Sequence, residues 1–302
     1  MRDLINQSKM LLDAESVLEK IISRERPWRG VYSELSNLLI YFNEDYDPDY
    51  EYVGYLKMLV VLRYELINFD QDCFLLQKEL EQFGYFDIRK ILLDNINLFE
   101  KDYLNINSQK LYNQKDLRKY CSSIVATYSR ILVIRVDLGY LQDSHNQIFI
   151  DDLYDDLDIL LNRIQNRDGI FNHVIGYAWC VEQGGKSKGY HCHLAVIYDT
   201  AYRSTSARYW GDKIIQLWKD ITLDHGQGYN CYNKKRVEEL RSRNQLGIGL
   251  VYRRDTDQVA NFIEAMCYLT DPDKRTDQYL RVKPEGRRTF GKGQLRSTRY
   301  KR

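Results

Sequence analysis

The chain has 302 residues, 44% of them hydrophobic and 29% charged, the balance of a globular protein with room for one large domain or two ordinary ones. Its net charge of +1 conceals an asymmetry, because residues 1–160 hold 18 Lys and Arg against 28 Asp and Glu while residues 161–302 hold 26 against 15. Charged residues close behind Met1, the lack of any apolar run near the roughly 18 residues of a membrane helix, and cysteines that never form a CxxC pair exclude secreted and membrane-spanning readings, so a cytoplasmic protein with reduced thiols is expected.

In chain order, apolar residues at helical spacing predict helices over 4–22, 55–66 and 86–99, with an acidic, Pro-containing loop at 43–50. The chain up to about residue 120 therefore reads as an all-helical unit, and it carries no spacing with a recognisable chemistry. Near residue 130 the pattern changes. The β-branched run 130–138 predicts a strand, and 151–167 a helix with Leu153, Leu157, Leu160, Leu161 and Ile164 on one face. Two apolar runs, 174–182 and 190–198, flank the Gly-rich stretch 183–189 and predict a hairpin. A helix at 207–221, short strands near 229–232 and 248–252, and a helix from 257 to about 269 complete an α+β pattern, for which a sheet with helices on one face is expected.

Chemistry concentrates in Glu182 and His191-Cys192-His193. Strand residues alternate faces, so His191 and His193 point one way and Cys192 the other. A hairpin register that sets Glu182 opposite His191 adds a carboxylate to the same face. Two imidazoles, one hard oxygen and open positions suit Mg²⁺ or Mn²⁺ at a phosphate better than a closed zinc site. The plain alternative is a pair of strand histidines meeting water. A cupin metal motif is excluded, because Ile197 and Tyr198 stand where it requires a Glu. In the helix after Asp257, Val259, Phe262, Ile263, Met266 and Leu269 form the apolar stripe, while Asn261, Glu264 and Tyr268 fall on a polar face.

A strand ending Arg135-Val-Asp137, the Glu182 and Gly-rich hairpin leading into His191-Cys-His193, and Tyr268 late on a helix together resemble, in that order, the three motifs of HUH-type rolling-circle replication initiators. More narrowly, Gly247-Ile-Gly-Leu-Val-Tyr-Arg-Arg-Asp255, Cys267-Tyr-Leu-Thr270 and Arg288-Thr-Phe-Gly-Lys-Gly293 look like the inovirus-type replication proteins that share the YagK/YfjJ C-terminal domain. The resemblance spans roughly residues 126–300. It implies an antiparallel-sheet HUH endonuclease domain of RRM/ferredoxin-like type over 126–302, preceded by an all-helical accessory domain over 1–125.

The resemblance further implies a phage, prophage or plasmid protein that nicks and rejoins single-stranded DNA at a replication origin. Tyr268 would form a 5′-phosphotyrosine, with Mg²⁺ or Mn²⁺ held by His191, His193 and Glu182, and host helicase and polymerase as further partners. Asp137 is either a supporting residue of this site or a turn cap. Where the superfamily often carries a Lys three residues after the Tyr, this chain has Asp271, and Lys274 beyond Pro272 is the nearest substitute. That departure sustains an alternative, a non-catalytic DNA-binding regulator on a degenerate HUH fold. A primase-polymerase ranks below both, because Arg135-Val-Asp137 offers one carboxylate where a D-x-D pair is needed. The last 22 residues carry nine cations. Arg287, Arg288, Lys292, Arg296 and Arg299 among them read as phosphate contacts or as a solvated basic terminus. Tyr229, Tyr232 and Tyr252 read as stacking platforms or core residues.

Overall fold

A computed structural model of the chain describes residues 6–66, 72–185, 188–201, 205–271 and 278–294. The N-terminal half is helical: α1 (Gln7–Ser23), α2 (Val31–Asp45), α3 (Tyr55–Leu66), α4 (Cys73–Phe83), α5 (Tyr85–Asp94) and the long α6 (Ile96–Thr127), interrupted only by the short strand β1 (Tyr50–Tyr52). Side-chain caps start two of these helices; the Asn6 carboxamide accepts from the Lys9 N–H, and the Asp72 carboxylate from the Leu75 N–H. Where one helix was expected over 86–99, the chain breaks at Asn95 into α5 and α6. The side chain of Asn95 donates back to the Ile91 carbonyl, competing with helix continuation.

From residue 130 onward the chain builds β2 (Arg130–Tyr140), α7 (Ile150–Asn166), β3 (Val174–Gln183), β4 (Tyr190–Asp199), α8 (Ala207–Ile221), β5 (Gly226–Asn230), α9 (Lys234–Ser242), β6 (Gly249–Tyr252), α10 (Thr256–Cys267), β7 (Val282–Pro284) and β8 (Phe290–Lys292). All strand pairs are antiparallel. The main sheet runs β5-β2-β4-β3-β8, and β6 shares the outer edge of β2 with β5. Along that edge β5 pairs with residues 136–140 and β6 with 130–133, so α9 emerges where the ladder is interrupted beside Arg135.

Helices cover both faces of the sheet, not one. Leu132, Ile134, Val136, Leu138, Cys192, Leu194 and Val196 pack under α7, α8 and the N-terminal helices. Ile131, Val133, Ala178, Ala195 and Ile197 pack under the C-terminal half of α6 and under α10. The reason lies in the strands themselves, which are apolar at alternate and at intervening positions and so need cover on both sides. The helical half is continuous with this packing, because α1–α5 share one buried cluster with the sheet. No helix among the described residues is long and apolar enough to cross a membrane.

Buried polar bonds fasten α1 to the hairpin of β3 and β4. The Tyr190 hydroxyl donates to the Gln7 carboxamide oxygen at 2.9 Å, which also accepts the Ile150 N–H. The Gln183 amide donates to the Ser8 carbonyl at 2.9 Å, and its oxygen accepts the Arg281 N–H. Arg281 is itself buried and ion-paired with Glu15.

Candidate functional site

The strand pairing aligns side chains in rows across one sheet face. One row reads Phe290, Cys180, His193, Asp137, Tyr229, from β8 to β5. The neighbouring row toward the hairpin turn pairs Glu182 with His191, the register on which a three-residue ligand set depends. On the other side, Lys292, Ala178, Ala195 and Arg135 form the row where the apolar cover of α6 and α10 begins.

Glu182, His191 and His193 are all buried, and one ligand atom from each lies within 4.8 Å of the others. The Glu182 Oε2 atom sits 3.0 Å from His193 Nε2 and 3.6 Å from His191 Nε2. Cis ligands around an ion with bonds near 2.1 Å lie about 3.0 Å apart, a spacing of the order found here, so the group could hold a metal ion. The outer nitrogens are held as well. His193 Nδ1 lies 2.5 Å from Asp137 Oδ1, and His191 Nδ1 lies 3.3 Å from the Gly189 carbonyl. Such outer partners fix ring orientation, and both Nε2 atoms lie beside the same Glu182 oxygen.

The electrostatics follow from this wiring. Burial opposes a charge on His193, but its hydrogen bonds to Asp137 and Glu182 outweigh that and raise its pKa above the ordinary imidazole value. Asp137 is affected oppositely: burial would raise its pKa, yet the hydrogen bond and charge of His193 hold it at about 2. A carboxylate, an imidazole and a second carboxylate thus form one chain of bonds.

Asp137, His191 and His193 open into a cleft of about 1120 Å³ that also receives Asn261, Glu264 and Tyr268. The polar side of α10 therefore lines the same cleft as the row of His193 and Asp137. Tyr268 caps the end of α10 and is 44% exposed. The Arg135 guanidinium lies 4.8 Å from the centre of its ring, and Arg135 Nε is buried with no hydrogen-bond partner among the described residues. Gly247 lets α10 come this close, and Gly249 admits the Tyr232 ring beside it. A Cβ on Gly247 would stand 1.9 Å from the Asn261 carbonyl oxygen, and Gly249, at φ +89°, has the Tyr232 ring where a Cβ would be.

Asp271 also lines the cleft, whereas Lys274 lies outside the described residues. Of the tail cations, Arg287 pairs with Asp158 at 2.6 Å and Lys292 with Asp116 at 3.2 Å. Arg288 is exposed, and none of these three lines the cleft. Arg296 and Arg299 fall outside the described residues. The cations that do line it are Arg135, Lys188, Lys235 and Arg236. Charge composition pointed to the tail and passed over these four; the clustered Lys234-Lys235-Arg236 was the signal for two of them.

No curated protein and no solved structure matches the chain. A family model described as the YagK/YfjJ C-terminal domain matches residues 94–293, from the start of α6 through β8, and the chain belongs to that family.

Proposed function

We propose that the protein is a metal-dependent endonuclease and strand transferase of the HUH type, acting on single-stranded DNA at an origin to initiate rolling-circle replication. The observation that carries this reading is that Tyr268 lines the same cleft as His191 and His193, two members of the Glu182–His191–His193 donor set. A bound Mg²⁺ or Mn²⁺ would polarise the scissile phosphate and stabilise charge on its oxygens.

The side chains perform the rest. Tyr268 Oη attacks phosphorus and gives up its proton to solvent or a nearby base. The P–O3′ bond breaks, the departing oxygen takes up a proton, and the products are a 5′-phosphotyrosine and a free 3′-OH. Reversal with a new 3′-OH rejoins the strand, so the two transfers exchange one phosphodiester for another. Arg135 stacks on the phenol ring and offers an unpartnered N–H to an anion on the cleft floor. Asp137 keeps His193 turned with Nε2 toward Glu182, the orientation in which both would hold an ion. Host helicase and polymerase are the partners such a product recruits.

Asp271, lining the cleft where the superfamily often has a Lys, favours a second reading, a DNA-binding regulator without nicking activity. An SDS gel with end-labelled single-stranded oligonucleotides from the protein's own locus separates the two. A shifted band that needs Mn²⁺, disappears with EDTA, and is absent from Tyr268→Phe and His191→Ala/His193→Ala supports nicking. Folded protein that binds these oligonucleotides yet yields no band selects the regulator.

A further inference from the structure

The cleft has one wall whose chemistry the proposed reaction leaves unused. Between β5 and β6 the chain leaves the sheet and forms α9, whose residues 234–242 include Lys234, Lys235, Arg236 and Arg241 but only one buried side chain, Val237. A nine-residue helix with so little to bury is held mainly by its ends and neighbours. Asn233 supplies the starting anchor. Its side-chain oxygen accepts the Arg236 N–H, and its Nδ2 donates to the Tyr229 hydroxyl at 2.6 Å and to the Asn230 carbonyl at 3.1 Å. One residue thus fixes both the helix start and the tilt of the Tyr229 ring.

Tyr229 stands next to Asp137 in the row of the metal-binding residues, yet it is 53% exposed. An aromatic ring held by its hydroxyl, with a face left to solvent beside a site for a cation, has the form of a base-stacking platform. Lys235 and Arg236 line the same cleft from α9, and Lys188 lines it from the hairpin. Lys188 and Lys235 make no ion pair with the described residues, whereas Arg236 pairs with Glu239. On the opposite edge both cations, Arg287 and Lys292, are engaged by an aspartate, whereas two of the three on this edge have no such partner among the described residues.

We infer that the β5–α9 edge is the single-stranded DNA track, with Tyr229 stacking on a base and Lys188, Lys235 and Arg236 neutralising successive phosphates that lead to the cleft floor. This rests on reading the cleft as a single-strand DNA site, and it moves the backbone contacts away from the C-terminal tail. Duplex DNA offers no unstacked base to Tyr229, so the track selects single strands.

The test is fluorescence anisotropy with a labelled oligothymidine in EDTA, where no cleavage step is needed, repeated over a range of salt. Lys188→Gln/Lys235→Gln/Arg236→Gln should weaken binding more than tenfold and flatten the plot of log K against log salt by about 2, at roughly 0.7 per lost contact. Tyr229→Leu should weaken binding about tenfold and leave that slope unchanged. Arg287→Gln/Lys292→Gln should bind as wild type. Wild-type affinity and slope in the triple variant, or a loss confined to the Arg287 and Lys292 pair, would overturn the track. Adduct formation with Mn²⁺ is read separately. Protein that binds through this edge but forms no adduct keeps the track and sinks the nicking reading alone.

Discussion

The two faces of the main sheet are made from alternate residues of the same strands, and they serve different ends. On one face Leu132, Ile134, Val136, Leu138, Cys192 and Leu194 are fully buried along the whole length of β2 and β4. On the other, Ile131, Val133, Ala178, Ala195 and Ile197 are covered, but the cover stops at Arg135. Beyond it the same face carries Asp137, His193, His191 and Glu182. His191, Cys192 and His193 contain the contrast within three residues, two imidazoles toward the cleft and a thiol into the sealed core. A polar cluster of this kind stays ordered because its backbone is already fixed from behind. The sealed face supplies the stability, and the open face is free to hold groups that do not bury well.

Substitutions on the two faces should therefore separate folding from metal binding. The largest effect belongs to the sealed face: Leu194→Ala should cost about 2–5 kcal/mol by urea denaturation, with the metal affinity of the folded fraction unchanged. A loss of metal affinity instead would mean that the faces are not independent. Next comes the hinge between sheet and cover. Gly247→Ala should cost about 3 kcal/mol, because the added methyl would collide with the Asn261 carbonyl and push α10 off the sheet. Should that variant melt like wild type, α10 is not held by this close approach.

On the open face, Asp137→Asn should weaken Mn²⁺ binding about 10–100-fold by calorimetric titration, and leave the denaturation midpoint far less affected than Leu194→Ala does. Undiminished affinity would reduce Asp137 to a strand-end polar residue. The smallest effect on stability is at the cleft rim, where Tyr268→Phe should shift unfolding by no more than about 0.5 kcal/mol while removing any covalent adduct.

Much of this division was legible from periodicity. The alternation in 190–198 places the two histidines together, and the Glu182–His191 register agrees with the hairpin boundaries read from the Gly-rich loop. The polar side of α10 was readable as Asn261, Glu264 and Tyr268, which line the cleft together. Three features were not readable, each for a physical reason. α9 escaped because Val237 is its only buried residue, so no apolar stripe marks it. The first two thirds of α6 bury a single side chain, Asp102, and so show no periodic face. The tail cations looked available because sequence shows charge but not partners: Asp158 and Asp116 lie far away in the chain, and Glu15 is 266 positions from Arg281.

The bonds from α1 to the hairpin have a consequence for how the donor set keeps its shape. Gln183 follows Glu182 and Tyr190 precedes His191, so each clamp is one peptide unit from a ligand, on the reverse side of the strand. A chain begun at residue 94, where the family match starts, would lack Gln7 and Ser8 and so both clamps, and would expose to water the apolar sheet residues that α1–α5 cover. The helical half thus acts as a backing plate, bonded to the residues next to Glu182 and His191 from behind the strands that carry them.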